Sequence, residues 1–187
     1  MTRIVAGTLG GRRLAAPAGS GTRPTSDRVR EALFSSLASM VDLEGARFAD
    51  LYAGSGAVGL EALSRGAAHV LLVESDPRAA RIIRDNVAAL AVGSVAKLVT
   101  GRVSTVLADL PEGGPYDVVF ADPPYAVPDE EIAALLSALA GGGWLAADAV
   151  VVVERATRSG PPPQVEGVTP DRSRRYGEST LWYGRRS

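Results

Sequence analysis

The stretch Tyr116-Asp117-Val118-Val119-Phe120-Ala121-Asp122-Pro123-Pro124-Tyr125 joins an apolar run of strand length to an acid, two prolines and an aromatic ring. A short apolar run bounded by turn residues reads as a parallel strand buried on both faces. Open α/β sheets keep their sites at the carboxyl ends of such strands, which is where Asp122 stands. An ionised Asp only accepts hydrogen bonds, consecutive prolines fix φ and withhold two N–H donors, and Tyr125 adds a flat face. Such a cup suits a planar group bearing an NH2. The Asp122 carboxylate and the Pro123 carbonyl can accept two hydrogens from the amine while the Tyr125 ring stacks on the base. The plainer reading, a rigid Pro-Pro turn with a partly buried Tyr, is weakened by a second motif upstream.

That motif is Ala53-Gly54-Ser55-Gly56-Ala57-Val58-Gly59, which follows the candidate strand Arg47-Phe48-Ala49-Asp50-Leu51-Tyr52 and leads into a helix through Leu60, Ala62 and Leu63. The G-x-G-x-x-G spacing allows a tight turn, close backbone approach to a ligand and free N–H groups at the helix start. A nicotinamide dinucleotide would use the same spacing. The next strand, His69 to Val73, ends at Glu74 with Ser75 and Asp76 beyond, and an acid at that strand end can take both hydroxyls of a ribose. A helix from Pro77 to Leu90 follows, with proline at its first turn. Lys97 to Thr100 reads as a third strand, then Gly101-Arg102-Val103 and a short helix to Leu107. Beyond Tyr125 come a helix from Asp129 to Leu139, the break Gly141-Gly142-Gly143 and a buried strand, Ala149 to Val153. The closing segments, Val165 to Tyr176 and Ser179 to Tyr183, have no crossover helix between them and should pair antiparallel at a sheet edge. Alternating strands and helices without an internal repeat predict an α/β fold.

Composition removes other chemistries. With no Cys and His69 as the only His among 187 residues, disulfides, thiolate metal sites and Ser-His or Cys-His relays are excluded or disfavoured, and no metal is expected. His69 reads as a strand-edge residue. The opening residues are too short and interrupted for a signal segment, and no apolar stretch of about 18 residues occurs, so a cytoplasmic protein without membrane contact is expected.

The net charge of −1 hides an uneven distribution. Residues 1–31 carry six Arg against Asp27 and Glu31, and residues 155–187 carry seven Arg against three acids, so each end is net +4 around an acidic centre. Basic ends suggest a polyanion partner, although exposed termini can carry Arg simply for solvation. Near the start, Arg3 to Gly7 and Arg12 to Ala15 flank Thr8-Leu9-Gly10-Gly11, which predicts a small basic β-hairpin. Residues 16–24 are rich in Pro, Gly and Ser and read as a linker; Thr25 or Ser26 then caps a helix whose apolar face is Val29, Leu33, Phe34, Leu37 and Met40. Arg23, Arg28 and Arg30 lie on or before its first turn, against the helix dipole. A bound phosphate would relieve that conflict, and so would pairing with Asp27 and Glu31. The division expected is a basic hairpin and linker over residues 1–24 and a main domain over residues 25–187.

Asp50-Leu51-Tyr52-Ala53-Gly54-Ser55-Gly56, Glu74 and Asp122-Pro123-Pro124-Tyr125, in that order, resemble the class I S-adenosylmethionine-dependent amino-methyltransferases. Arg3 to Gly7 with Gly11-Arg12, Thr22 to Phe34, and Arg175-Tyr176-Gly177-Glu178-Ser179 narrow the resemblance to the bacterial 16S rRNA guanine-N2 methyltransferase family. The resemblance implies a Rossmann-like, seven-stranded, mostly parallel sheet in the order 3-2-1-4-5-7-6 with the last strand reversed. It implies S-adenosylmethionine as cofactor and transfer of a methyl group to N2 of one guanine in 16S rRNA, in the small ribosomal subunit or its assembly intermediate. The cofactor would be held by Asp50, Tyr52, Ala53, Gly54, Gly56, Gly59, Glu74, Ser75 and Asp122. Many relatives place an acid after the third strand to meet the adenine amine; this chain has Arg102, so backbone at Arg102 and Val103 would substitute. Asp122, Pro123, Pro124 and Tyr125 would form the catalytic cup. Arg3, Arg12, Arg13, Arg23, Arg28, Arg30, Arg172, Arg174 and Arg175 are the RNA-binding candidates, and a monomer is expected. Adenine-N6 methylation of DNA or RNA, a non-catalytic nucleic-acid module and, last, a dinucleotide dehydrogenase are the alternatives.

Overall fold

A computed structural model describes residues 2–17 and 26–187. Thr22, Arg23, Pro24 and Thr25 lie outside the described residues. Two short strands, β1 (Thr2–Arg3) and β2 (Arg13–Leu14), form the N-terminal hairpin. After them come α1 (Asp27–Ala38), β3 (Arg47–Leu51), α2 (Ala57–Ser64), β4 (His69–Glu74), α3 (Pro77–Ala89), β5 (Ala96–Thr100) and α4 (Val103–Leu107). The chain closes with β6 (Tyr116–Ala121), α5 (Asp129–Gly141), β7 (Leu145–Ala156), β8 (Val168–Tyr176) and β9 (Ser179–Arg186).

The main sheet has the order β5-β4-β3-β6-β7-β9-β8. Counted without the hairpin, this is 3-2-1-4-5-7-6; β9 runs antiparallel to both neighbours and the other six strands are parallel to one another. The expected fold class is therefore the observed one. Alternation along the central strands sends Phe48, Val70, Leu72, Val118, Phe120, Val150 and Val152 to one face, where Leu33, Phe34 and Leu37 of α1 and Ile83 of α3 cover them. The opposite residues, Ala49, Leu51, Leu71, Val73, Val119, Ala121, Val151 and Val153, pack against α4 and α5. Each fully buried Val or Leu contributes about 1.5–3 kcal/mol, so these two layers hold the strand ends in place.

Local chemistry explains most boundaries. Ser26 caps α1, its hydroxyl accepting from Val29 N at 3.2 Å. Asp76 caps α3, with Pro77 at the first helical position. Asp129, Glu130 and Glu131 in the first turn of α5 complement its dipole. Some elements outrun their sequence signals. β7 begins at Leu145 rather than Ala149 because Leu145 pairs with Tyr116 before a bulge that contains Asp148 at φ +60°. β9 continues to Arg186 because ladder bonds to β7 and β8 support its polar end.

The hairpin does not stand free. Ile4 and Leu14 are buried with Ala57 and Leu60 of α2 and Leu90. Gly7 approaches α2 so closely that a Cβ there would lie 2.0 Å from the Ser64 carbonyl oxygen. Among the described residues, no helix is long and apolar enough to cross a membrane.

Candidate functional site

Strands β5, β4, β3 and β6 lie side by side in parallel, so the segments that follow them gather along one edge of the sheet. The register sets Leu51 beside both Val73 and Ala121, and Glu74 beside Thr100. The glycine turn, Glu74 to Asp76, Arg102 and the Asp122–Tyr125 cup are consequently neighbours. Two backbone bonds tie the turn to its flanks: Ala53 N donates to Val73 O at 2.8 Å and Asp122 N to Leu51 O at 3.4 Å.

The turn itself is built by three glycines with different duties. Gly54 and Gly56 sit at φ +60° and +82°, a region that side chains rarely adopt. A Cβ on Gly54 would meet nothing within 4 Å, so its outer side is open for a ligand. Gly59 serves close packing, because a Cβ there would lie 2.5 Å from Leu72 Cδ2 and 2.8 Å from Val70 Cγ1. Tyr52, at φ +62°, holds the left-handed conformation without being glycine, a strained residue at the start of the turn. Its ring packs on the α4/α5 layer, and burial, with the Glu131 charge, pushes its phenol pKa up.

Two acids organise the turn. Glu74 accepts from Gly54 N at 2.8 Å through Oε1 and from Asp76 N at 2.9 Å through Oε2, and it remains partly exposed, so lone pairs are left for hydroxyls. Asp50 is buried under the turn and accepts from Gly59 N at 2.9 Å, fixing the first turn of α2 against β3. Burial raises its carboxyl well above the usual range, opposed by the Gly59 bond and reinforced by the Glu74 charge. Ser75 is exposed beside Glu74; Arg102 is an exposed residue capping α4 and Val103 is buried behind it. An open glycine backbone, a strand-end carboxylate with spare acceptors and Arg102 alongside fit an adenosyl ligand with a ribose.

The cup is half wall, half opening. Pro123 is buried, Pro124 is exposed and Tyr125 is 52% exposed, one of two large apolar or aromatic side chains left open to solvent among the described residues. Arg155 braces the loop beyond: its guanidinium pairs with Asp129 and donates to Pro161 O at 2.8 Å. Asp122 has a carboxyl neighbour the sequence reading did not single out. Ala121 is in register with Val153, so the next residue on each strand sets Asp122 beside Glu154. Burial pushes Asp122 well above the carboxylate range, with the Glu154 and Asp50 charges adding to it. The signal for Glu154 was present: it ends the valine run just as Asp122 ends its own.

The basic candidates divide. Arg3, Arg12, Arg13, Arg28, Arg174 and Arg175 are exposed, and Arg172 is half-buried, donating to Asp171 at 3.3 Å and to Ser39 Oγ at 3.3 Å. Arg12 also donates to Ala89 O at 2.8 Å. Arg30 corrects the sequence reading. It is 0% exposed and its guanidinium donates to Arg3 O, to Thr2 Oγ1 at 3.1 Å and to Asp27 at 2.8 Å, with buried Glu61 at 3.7 Å. Spacing could not show this, because Glu61 comes from α2, beyond an intervening strand. No RNA phosphate can reach Arg30 without opening the hairpin. Arg23 lies outside the described residues. His69 begins β4 and meets the Tyr116 hydroxyl at 3.2 Å, at the opposite end of the sheet from the cup. Among the described residues, no group of three or more His, Cys, Asp or Glu could hold a metal ion.

Two residues missed in the sequence link the hairpin to the glycine turn. Glu61 accepts from Val5 N at 2.8 Å, from Ala6 N at 3.1 Å and from Arg65 at 2.8 Å. Asn86 exchanges hydrogen bonds with the Ala15 backbone and donates to Ser55 O at 3.0 Å.

Residues 2–185 match the family model described as Conserved hypothetical protein 95. The chain is 41% identical over 162 residues to ribosomal RNA small subunit methyltransferase D of Escherichia coli K12, covering 86% of this chain and 77% of that protein. The solved structure of yhhF from Escherichia coli superposes with a TM-score of 0.84 at 37% identity, covering 100% of this chain and 98% of the other. Magnesium protoporphyrin IX methyltransferase of Synechocystis PCC 6803, solved with bound SAM, shares the fold at a TM-score of 0.65 and 19% identity, over 86% of this chain and 79% of that one.

Proposed function

Because the chain belongs to the Conserved hypothetical protein 95 family, the bacterial small-subunit rRNA methyltransferases, we propose that it methylates the exocyclic N2 of a guanine in 16S rRNA. The cofactor is S-adenosylmethionine and the substrate class is ribosomal RNA. The observation that carries the finer reading is the placement of Asp122-Pro123-Pro124-Tyr125 at the end of the central strand β6, beside the glycine turn and with Tyr125 open to solvent.

Glu74, the Gly54–Gly56 backbone, Tyr52, Ala53, Ser75, Arg102 and Val103 would hold the cofactor, and Asp50 braces the turn beneath it. When bound, S-adenosylmethionine would supply a methyl group on a sulfonium: the amine nitrogen would bond to the methyl carbon, the C–S electron pair would stay on the departing sulfur, and the proton lost from the nitrogen would pass to solvent. The chain's own contribution is placement. A guanine N2 lone pair is delocalised into the ring, and accepting its hydrogens at Asp122 and the Pro123 carbonyl favours a more tetrahedral, nucleophilic nitrogen. Tyr125 stacks on the extruded base, worth about 1–3 kcal/mol, comparable with the few kcal/mol needed to unstack it. Holding the partners in line supplies up to about 7–11 kcal/mol in well-oriented reactions. The exposed arginines bind phosphate and position the protein on a small-subunit particle as a monomer.

The test is transfer of labelled methyl from S-adenosylmethionine to unmodified small ribosomal subunits, naked rRNA and duplex DNA, with the product nucleoside identified by mass spectrometry. N2-methylguanosine from subunits is the expected result. N6-methyladenine would overturn the guanine reading and keep the cup; cofactor binding with no product from any acceptor would overturn catalysis.

A further inference from the structure

Ala121 and Val153 are in register on neighbouring parallel strands, so Asp122 and Glu154, the next residue on each, stand side by side. Two ionised carboxylates have four acceptor oxygens and no donor between them, so two carboxyls set side by side with one of them buried are reconciled by a single shared proton. Glu154 is buried, at 7% exposure, and the Ser179 hydroxyl donates to its Oε1 at 2.8 Å. That donor favours the ionised form of Glu154 and leaves the shared proton to Asp122. Asp122 sits at the mouth, partly exposed, whereas Glu154 lies behind it. The arrangement is thus a row across three neighbouring strands: Asp122 after β6, Glu154 on β7 and Ser179 on β9.

We infer that Glu154 is a positioning residue for the reaction. Through one shared proton it fixes the Asp122 carboxyl, so that the Asp122 oxygen outside that bond is presented as the acceptor for the substrate amine. This rests on the methyltransferase reading above. The consequence is that the working acceptor belongs to a carboxyl pair carrying one proton and a single negative charge, not to an isolated carboxylate.

Groups on the neighbouring strands bear on the pair. From β3, Asp50 faces Asp122 and adds to its preference for the proton. From β9, Ser179 is the donor on Glu154. Arg155 follows Glu154 on β7 but is committed to Asp129, Gly160 O and Pro161 O. Alternation along the strand puts it on the other face.

The test is titration of the Asp122 carboxyl by 13C NMR in the full-length protein labelled at aspartate carboxyl carbons, with Asp122→Asn to assign the resonance. In parallel, kcat on small subunits and the Kd for S-adenosylmethionine are measured for Glu154→Gln and Ser179→Ala. In the wild-type protein Asp122 titrates well above the ordinary carboxylate range. Glu154→Gln removes the neighbouring charge and lowers that titration by at least one pH unit, and Ser179→Ala, which takes a donor from the Glu154 anion, moves the shared proton toward Glu154 and shifts part of the Asp122 ionisation to lower pH. A change at Ser179, two strands away from Asp122, moves the Asp122 titration only if Glu154 relays it, and either variant reads the pair if the other fails to fold. Glu154→Gln also lowers kcat about tenfold and leaves the cofactor Kd within twofold. An Asp122 titration indifferent to Glu154→Gln, or full kcat in that variant, overturns the inference. Failure of the guanine reading looks different: the wild-type protein would make no N2-methylguanosine while the paired titration persisted.

Discussion

Tyr125 and Asp122 carry opposite kinds of consequence. Tyr125 is held by little and exposed, so Tyr125→Ala should leave folding and the Kd for S-adenosylmethionine unchanged while lowering turnover on subunits roughly tenfold, the kinetic equivalent of about 1.4 kcal/mol of stacking. Parallel calorimetric and kinetic titrations check it. Asp122 is an acid whose folded pKa is raised, so the folded state keeps its proton to higher pH than the unfolded chain does. By linkage, stability falls as pH rises from the unfolded value, about 3.9, through the raised folded value, and the deficit is complete above it. Asp122→Asn should therefore melt above the wild-type protein at pH 8, and the advantage should shrink as pH is lowered toward 5. Thermal melts across that range decide it.

At the scale of elements, helix α2 is the part on which the others converge. Its first turn is pinned by Asp50, its Gly59 lies against β3 and β4, and its outer side carries Glu61 and Ser64, which hold the hairpin. Gly59→Ala forces a methyl against Leu72 and Val70. The expected cost is about 1–3 kcal/mol, with weaker cofactor binding because the glycine turn moves with the helix, read by thermal melts and calorimetry. Glu61→Ala leaves the fully buried Arg30 guanidinium without its buried counter-charge and should cost about 3–5 kcal/mol, measured by denaturant unfolding. The hairpin and the glycine turn thus share one helix, with Asn86 as a second link.

Across the whole molecule, helix α1 connects arginines from both basic ends. Arg3 and Arg28 stand at the N-terminal end of α1, and Arg172 reaches Ser39 at its C-terminal end, so a 12-residue helix, roughly 18 Å long, separates the two clusters. That spacing suits a nucleic-acid backbone followed over several phosphates. Arg12→Ala with Arg13→Ala should weaken RNA binding and flatten the salt dependence of log K by about one to two in slope, at roughly 0.7–0.9 for each phosphate no longer neutralised. Binding isotherms from about 50 to 200 mM salt would show it; an unchanged slope would remove the hairpin from the RNA interface.

The strand and helix order was legible because buried parallel strands are continuous apolar runs and helices announce themselves by period, cap and proline: Val118 to Ala121, Ser26, Asp76 and Pro77 are local signals. The glycine turn, Glu74 and the Asp122 cup were legible for the same reason, since each is a short contiguous motif at a strand end. Strand ends without such signals were not, and β7 and β9 extend through polar residues only because neighbouring strands complete their ladders. By itself, then, the sequence determined the α/β class, the positions of the two motifs and the basic character of both ends. Tertiary structure alone decided that Glu154 stands beside Asp122, that Arg30 is a buried anchor and that Glu61 and Asn86 join the hairpin to the glycine turn. The physical reason is that periodicity and turn chemistry act between near neighbours, whereas burial, shared protons and ion pairs depend on which distant strands the register brings together.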